Sequence, residues 1–176
     1  MPVREILQLG NPILRAKCTK VKSFRTAGLT ALVDDLRETL LDFRSRNGFG
    51  RGIAAPQIGV TERVIFIHVD EPLALVNPVV TRHSRKRMTM WDDCFSLPNL
   101  LVKVNRHVSM EIRYCDTDGK AHTLSAEGGL SELLQHEIDH LDGILAIDRA
   151  VDSKHIVLKS EYEKWWKERG NAGVSL

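Results

Sequence analysis

The sequence predicts an α+β fold, with mostly antiparallel β-sheets around a central metal-binding helix and further helices toward the N- and C-termini. Three observations predict it. Gln135-His136-Glu137-Ile138-Asp139-His140-Leu141-Asp142-Gly143 sets two histidines four residues apart, one turn of a helix with about 3.6 residues per turn. An apolar stripe of the same period, Leu29, Leu32, Val33, Leu36, Leu40, Leu41 and Phe43, runs through Thr26–Arg46 and marks a long amphipathic helix. Between the two helices lie short runs rich in β-branched residues, separated by turn formers, which is the pattern of antiparallel strands.

Taken in order, residues 1–23 read as mostly irregular, with a turn at Gly10-Asn11-Pro12. The first helix ends at Asn47-Gly48. Gly50-Arg51-Gly52-Ile53-Ala54-Ala55-Pro56-Gln57-Ile58-Gly59 is rich in small residues, which let a backbone pass close to a partner. It lacks the Lys-Ser/Thr ending of a phosphate loop. Gln57 is its one long polar group among apolar neighbours and needs a partner or a site to face. Strands are expected at Arg63–Val69, at Leu73–Val80 with a break at Asn77-Pro78, at Leu101–Val104 and at Val108–Cys115. A hairpin turn at Asp116–Gly119 then leads into Lys120–Ser125. The basic run Arg82–Arg87 reads as a solvated loop or hairpin. The central helix starts near Glu127-Gly128-Gly129 and carries Leu130, Leu133, Leu134, Ile138 and Leu141 at near-helical spacing, with Gly143 as its stop. Ile144–Ile147 reads as short and extended. A last helix, capped by Asp152 or Ser153, is expected to run to about Arg169 and to pack Ile156, Val157, Tyr162, Trp165 and Trp166 against the body.

The 176 residues, 43% hydrophobic and 27% charged, fit one globular domain over 1–176, with 151–176 as its C-terminal helix and tail. A net charge of +2 leaves little surplus to neutralise phosphates, so DNA is not an expected partner. No apolar run approaches a membrane span. Cys18, Cys94 and Cys115 are an odd, unpaired set that suits a reducing compartment. The N-terminal residues show no signal pattern. A cytoplasmic protein is expected, with a processed organellar form as the alternative.

The chemistry centres on His136, Glu137 and His140. Two imidazoles on one helical face bind a single metal ion, and a neighbouring carboxylate handles the protons of water at that ion. The bland alternative is a core helix with two satisfied histidines. A catalytic site needs a third protein ligand, and two residues are candidates: Cys94, and Glu161, which lies 21 residues past His140.

Three stretches in this order resemble the peptide deformylase family, whose motifs are GxGLAAxQIG, EGCLS and QHExDHLxG. Here they read Gly50–Gly59, Asp92-Asp93-Cys94-Phe95-Ser96 and Gln135–Gly143, and Leu9–Arg15 is similar to the family's N-terminal GDPxLR segment. The resemblance implies Cys94, His136 and His140 as ligands of one divalent metal ion, Fe2+ first and Zn2+, Ni2+ or Co2+ as replacements. It implies Glu137 as general base and then acid, and Gln57 with the Phe95 N–H as donors to the formyl oxygen. The substrate would be an N-formylmethionyl peptide emerging near the ribosome exit region. It would pair with the Gly52 and Ile53 backbone, and its methionine would lie in a pocket lined by Leu133 and edged by His136.

The chain departs from the family pattern at several positions. Asp92 replaces glutamate, with Arg106 as its expected partner, and Asp93 replaces glycine. Phe95 replaces leucine, Leu101 replaces an arginine, and Gly129 replaces a large apolar residue of the methionine pocket. These changes imply possible strain at Asp93 and a wider pocket at Gly129, and they leave a divergent relative with another N-acyl substrate as the alternative.

Overall fold

The computed structural model describes residues 3–165 and 167. Helix α1 spans Ala27–Asn47; the Thr26 side chain accepts the Leu29 N–H at its start, and Gly48, at φ 75°, closes its end. Five antiparallel strands form one sheet in the order β1-β2-β3-β6-β7: β1 Gly52–Ala54, β2 Val64–His68, β3 Pro72–His83, β6 Ser109–Cys115 and β7 Ala121–Glu127. A second sheet pairs β4 Arg87–Asp92 with β5 Leu100–His107, and β5 with β8 Ile156–Leu158. Helix α2 spans Gly129–Leu141, and a short α3 spans Lys159–Trp165.

The period-2 alternation of β2 decides how the layers stack. Val64 and Phe66 point to one face, where they join Leu29, Leu32, Leu36 and Leu40 of α1. Ile65 and Ile67 point to the other and join Leu133, Leu134, Ile138 and Leu141 of α2. The larger sheet is therefore covered by α1 on one side and α2 on the other. A third apolar cluster, with Cys94, Leu97, Val102, Val104 and Ala146, fills the smaller sheet. Ten of the thirteen residues of α2 are buried, and five of those are Glu132, His136, Glu137, Asp139 and His140. Burying that many ionisable groups is costly unless each finds a partner, so the surroundings of α2 define the site.

Asn77 interrupts the expected strand only locally. At φ 53° it makes a bulge between Val76 and Val79, and its side-chain amide bonds the Val21 N–H and C=O, each at 2.9 Å. The strand continues to His83.

Three expected boundaries are corrected. Ala146–Arg149 is a 3-10 turn, where an extended segment was expected. Asp152 caps only a three-residue 3-10 turn. Ile156 and Val157 then enter β8, because two of its three residues are β-branched and β5 offers a free edge. The last helix thus starts at Lys159. Tyr162 packs against Trp91 with ring centroids 5.1 Å apart, whereas Trp165 is half exposed. Trp166 and Arg169 lie outside the described residues.

Gly143, at φ 73°, ends the turn after α2, and a Cβ there would lie 2.5 Å from the Arg15 carbonyl oxygen. Left-handed strain and backbone overlap together set the cost of a side chain. Gly143→Ala is expected to lower unfolding stability by about 2–5 kcal/mol, read as a lower denaturant midpoint at unchanged slope.

Candidate metal centre and its cavity

Helix α2 brings His136 and His140 to one face, with ring centroids 4.9 Å apart. The turn after β4 brings Cys94 to them: its Sγ lies 3.2 Å from His140 Nε2. Cys94, His136 and His140 are buried, and their donor atoms all lie within 4.8 Å of one another. Glu161 is elsewhere, on the half-exposed face of α3, paired with Lys164 at 2.8 Å. Among the described residues only the cysteine joins the two histidines, apart from a second cluster of Asp92, Glu132 and His136. In that cluster both carboxylates are engaged by arginines, Asp92 by Arg106 and Glu132 by Arg51.

A buried chain of charges holds the histidines. His136 Nδ1 lies 3.0 Å from Asp92 Oδ2, and Arg106 Nη2 donates to the same oxygen at 3.0 Å. Arg106 Nη1 donates to Asp139 Oδ2, and Arg149 Nη2 reaches Asp139 Oδ1 at 2.7 Å. Burial alone would push the Asp92 carboxyl up, but His136 and Arg106 outweigh it and hold it down at about 2. Burial pushes His136 down, and Asp92 and Cys94 more than reverse this. His140 is held well below its usual value, by burial first and the His136 charge second, which favours the neutral imidazole with one ring-nitrogen lone pair to give.

The donor set fits a divalent transition metal. Asp92 turns His136 so that Nε2 is left for the site, the carboxylate–histidine arrangement typical of metal ligands. A thiolate with two imidazoles suits borderline ions and leaves an open coordination position. Buried atoms without a protein partner include His140 Nδ1 and Glu137 Oε2. Cys18, by contrast, is removed from this chemistry: burial pushes its thiol up to about 11.

The centre opens into a cavity of about 510 Å³ bordered by Gly52, Gln57, Cys94, Phe95, Leu133 and Glu137. Gln57 is fixed in the 3-10 turn Ala55–Ile58. Its Oε1 accepts the Ala54 N–H at 2.9 Å, which turns Nε2 toward Ser96 Oγ at 3.3 Å and Cys94 Sγ at 3.8 Å. Glu137 is buried beside Gly52, where an added Cβ would lie 2.9 Å from Glu137 Oε1 and 3.1 Å from Leu133 Cδ1. Desolvation raises the Glu137 carboxyl to about 7. Gly52 and Ile53 lie on β1, the edge strand of the larger sheet. Phe95 stacks on Phe43 of α1, with centroids 3.8 Å apart.

The departures noted in the sequence are each accommodated in the structure. Asp93 is not among the described residues with positive φ, so no left-handed strain arises. Its carboxylate faces Lys159 Nζ at 3.2 Å. Leu101 pairs with Val157 across β5 and β8. The space above Gly129 is not left open: a Cβ there would meet Arg51 Nη1 at 3.4 Å. Arg106 is the partner of Asp92 as expected. Sequence reasoning missed Asp139 and Arg149, and it missed Glu132 with Arg51. Glu132 precedes His136 by one helical turn, so the helical period was the signal that places it on the ligand face.

Comparisons with known proteins agree with this geometry. The family model described as Polypeptide deformylase matches residues 3–155. A peptide deformylase of Rhizobium meliloti (strain 1021) is 35% identical over 180 residues, covering 99% of this chain and 100% of the relative. One from Desulfitobacterium hafniense is 38% identical over 153 residues, covering 85% and 96%. Among solved structures, the Synechococcus elongatus peptide deformylase in complex with actinonin matches with a TM-score of 0.82 at 29% identity, covering 93% of this chain and 86% of that one. The Thermotoga maritima peptide deformylase matches with a TM-score of 0.81 at 28% identity, covering 86% and 100%. With the motifs in order, the helix-borne histidines beside a cysteine and a matching fold, the chain belongs to the polypeptide deformylase family.

Proposed function

We propose that this chain is a metal-dependent amide hydrolase that removes the N-terminal formyl group from formyl-methionyl nascent peptides and releases formate. One observation carries the reading. Glu137, Gln57, Cys94 and His136 line one cavity, and Cys94 and His136 form a buried cluster with His140 behind them.

Cys94, His136 and His140 hold the divalent ion, with Fe2+ as the native choice and Zn2+, Ni2+ or Co2+ as substitutes of similar ligand preference. When bound, the ion supplies Lewis acidity, which makes water a competent nucleophile near neutral pH and polarises the formyl carbonyl. Glu137 accepts the proton of the attacking water and delivers it to the leaving amine. A carboxyl raised to about 7 by burial is matched to both transfers. Gln57 Nε2, held in place through Oε1 and Ala54 N–H, donates to the oxygen that gains negative charge, together with the Phe95 N–H. The extended peptide adds to the free edge of β1 at Gly52 and Ile53, where glycine leaves room for close approach. Leu133 supports the first side chain. A nascent-chain substrate places the work beside the ribosome exit, in a reducing cytoplasm that keeps the Cys94 thiolate intact.

Metal-loaded, anaerobically purified protein is expected to release formate from formyl-Met-Ala-Ser. Glu137→Ala is expected to lower kcat by about 10²–10⁴-fold while keeping its metal. Absence of formate from protein that holds one ion per chain would overturn the assignment. The ligand set has its own test in metal content after gel filtration. Cys94→Ala should lose the ion and Glu161→Ala should keep it; the reverse result would make Glu161 the third ligand.

A further inference from the structure

Arg51 and Glu132 form an ion pair inside the substrate cavity that the hydrolytic chemistry does not use. Arg51 Nη2 lies 2.6 Å from Glu132 Oε2, and Arg51 Nη1 donates to the Gly129 carbonyl at 3.0 Å. The Glu132 side chain is 4% exposed and that of Arg51 46%. Both residues border the cavity, beside Gly52, Leu133 and His136. The small residue at position 129 is part of the same arrangement, since a Cβ there would already touch the guanidinium at 3.4 Å and a larger side chain would compete for its place.

Stability does not explain this pair. Burying a carboxylate is costly, and a partner that is half in water returns little. Two apolar residues of similar volume would pack α2 against β1 at no such cost. The arrangement makes sense as recognition. A methionine side chain laid against it would cover the charges and return no hydrogen bond. Glutamine has nearly the same length and no branching, and its amide offers N–H to Glu132 and C=O to Arg51.

We propose that Arg51 and Glu132 set the substrate range of this chain, giving the first side-chain pocket a polar wall. The chain then accepts formylated peptides that begin with a hydrogen-bonding side chain nearly as well as those that begin with methionine. The proposal rests on the deformylase reading of the cavity. Arg51 and Glu132 are specificity residues, acting on which side chain binds and not on the bond that breaks.

The test is the ratio of kcat/KM for formyl-Met-Ala-Ser to that for formyl-Gln-Ala-Ser, measured on the metal-loaded full chain. The wild-type ratio is expected to lie within about tenfold. In the R51L/E132L double variant it should rise by at least about tenfold, chiefly through a higher KM for the glutamine peptide. Glu132→Gln, which keeps the shape and removes the charge, should move the ratio in the same direction by less. A wild-type ratio above about tenfold in favour of methionine would overturn the proposal, and so would an unchanged ratio in a double variant of native circular dichroism. If the double variant does not fold, the wild-type and Glu132→Gln ratios decide. Formate from neither peptide, with the ion in place, would overturn the deformylase reading itself, and the proposal with it.

Discussion

One buried guanidinium joins the two halves of the candidate metal centre. Arg106 rises from β5 in the smaller sheet and donates to Asp92 at the end of β4 and to Asp139 on α2. Neither carboxylate would tolerate burial alone, and Arg106 is itself almost wholly enclosed. Removing one member of such a set leaves the others uncompensated, at a cost of about 3–5 kcal/mol. Because Asp92 also meets His136 Nδ1, the same charges that join sheet to helix fix the orientation of an imidazole. Folding and ligand geometry are one constraint here. The shorter aspartate at position 92 still spans the distance because Arg106 and His136 both converge on its Oδ2.

Much of the fold was legible because its long elements carry clean periods. The stripe from Leu29 to Leu40 faces the sheet in the structure, and the alternation in Val64–His68 divides its side chains between two helices. The ends of elements were less legible. Asp152 has the chemistry of a helix cap, yet Ile156-Val157-Leu158 finds a hydrogen-bonding edge on β5, and pairing with a distant strand overrides local propensity. The bulge at Asn77 depends on an amide reaching the backbone of Val21, 56 positions away.

The site divides along the same line. His136, Glu137 and His140 were readable because their relation is local to one helix. Cys94 needed the resemblance, since a free cysteine by itself reads as a buried thiol. The Arg51–Glu132 pair spans 81 positions and is set by packing that no local window contains. Its sequence trace is Glu132, a further ionisable residue on the buried face of α2 that lies one turn before His136. Such breaks in pattern fall where function outranks stability.

The proposed ligand set draws on separate parts of the chain, with Cys94 beyond β4 of one sheet and the histidines on the helix that supports the other, 46 positions apart from Cys94 to His140. An ion held by all three, as proposed, would therefore be a reversible staple as well as a reagent. By mass action, its affinity adds to the free energy of the native state, much as a disulfide would, but in a form that a reducing environment protects. Oxidation of the Cys94 thiol would cost the proposed site one of its three ligands, and with it the contribution of the ion to stability. For this chain, then, the proposed ligand set ties air sensitivity of the activity and a fall in stability to one sulfur atom.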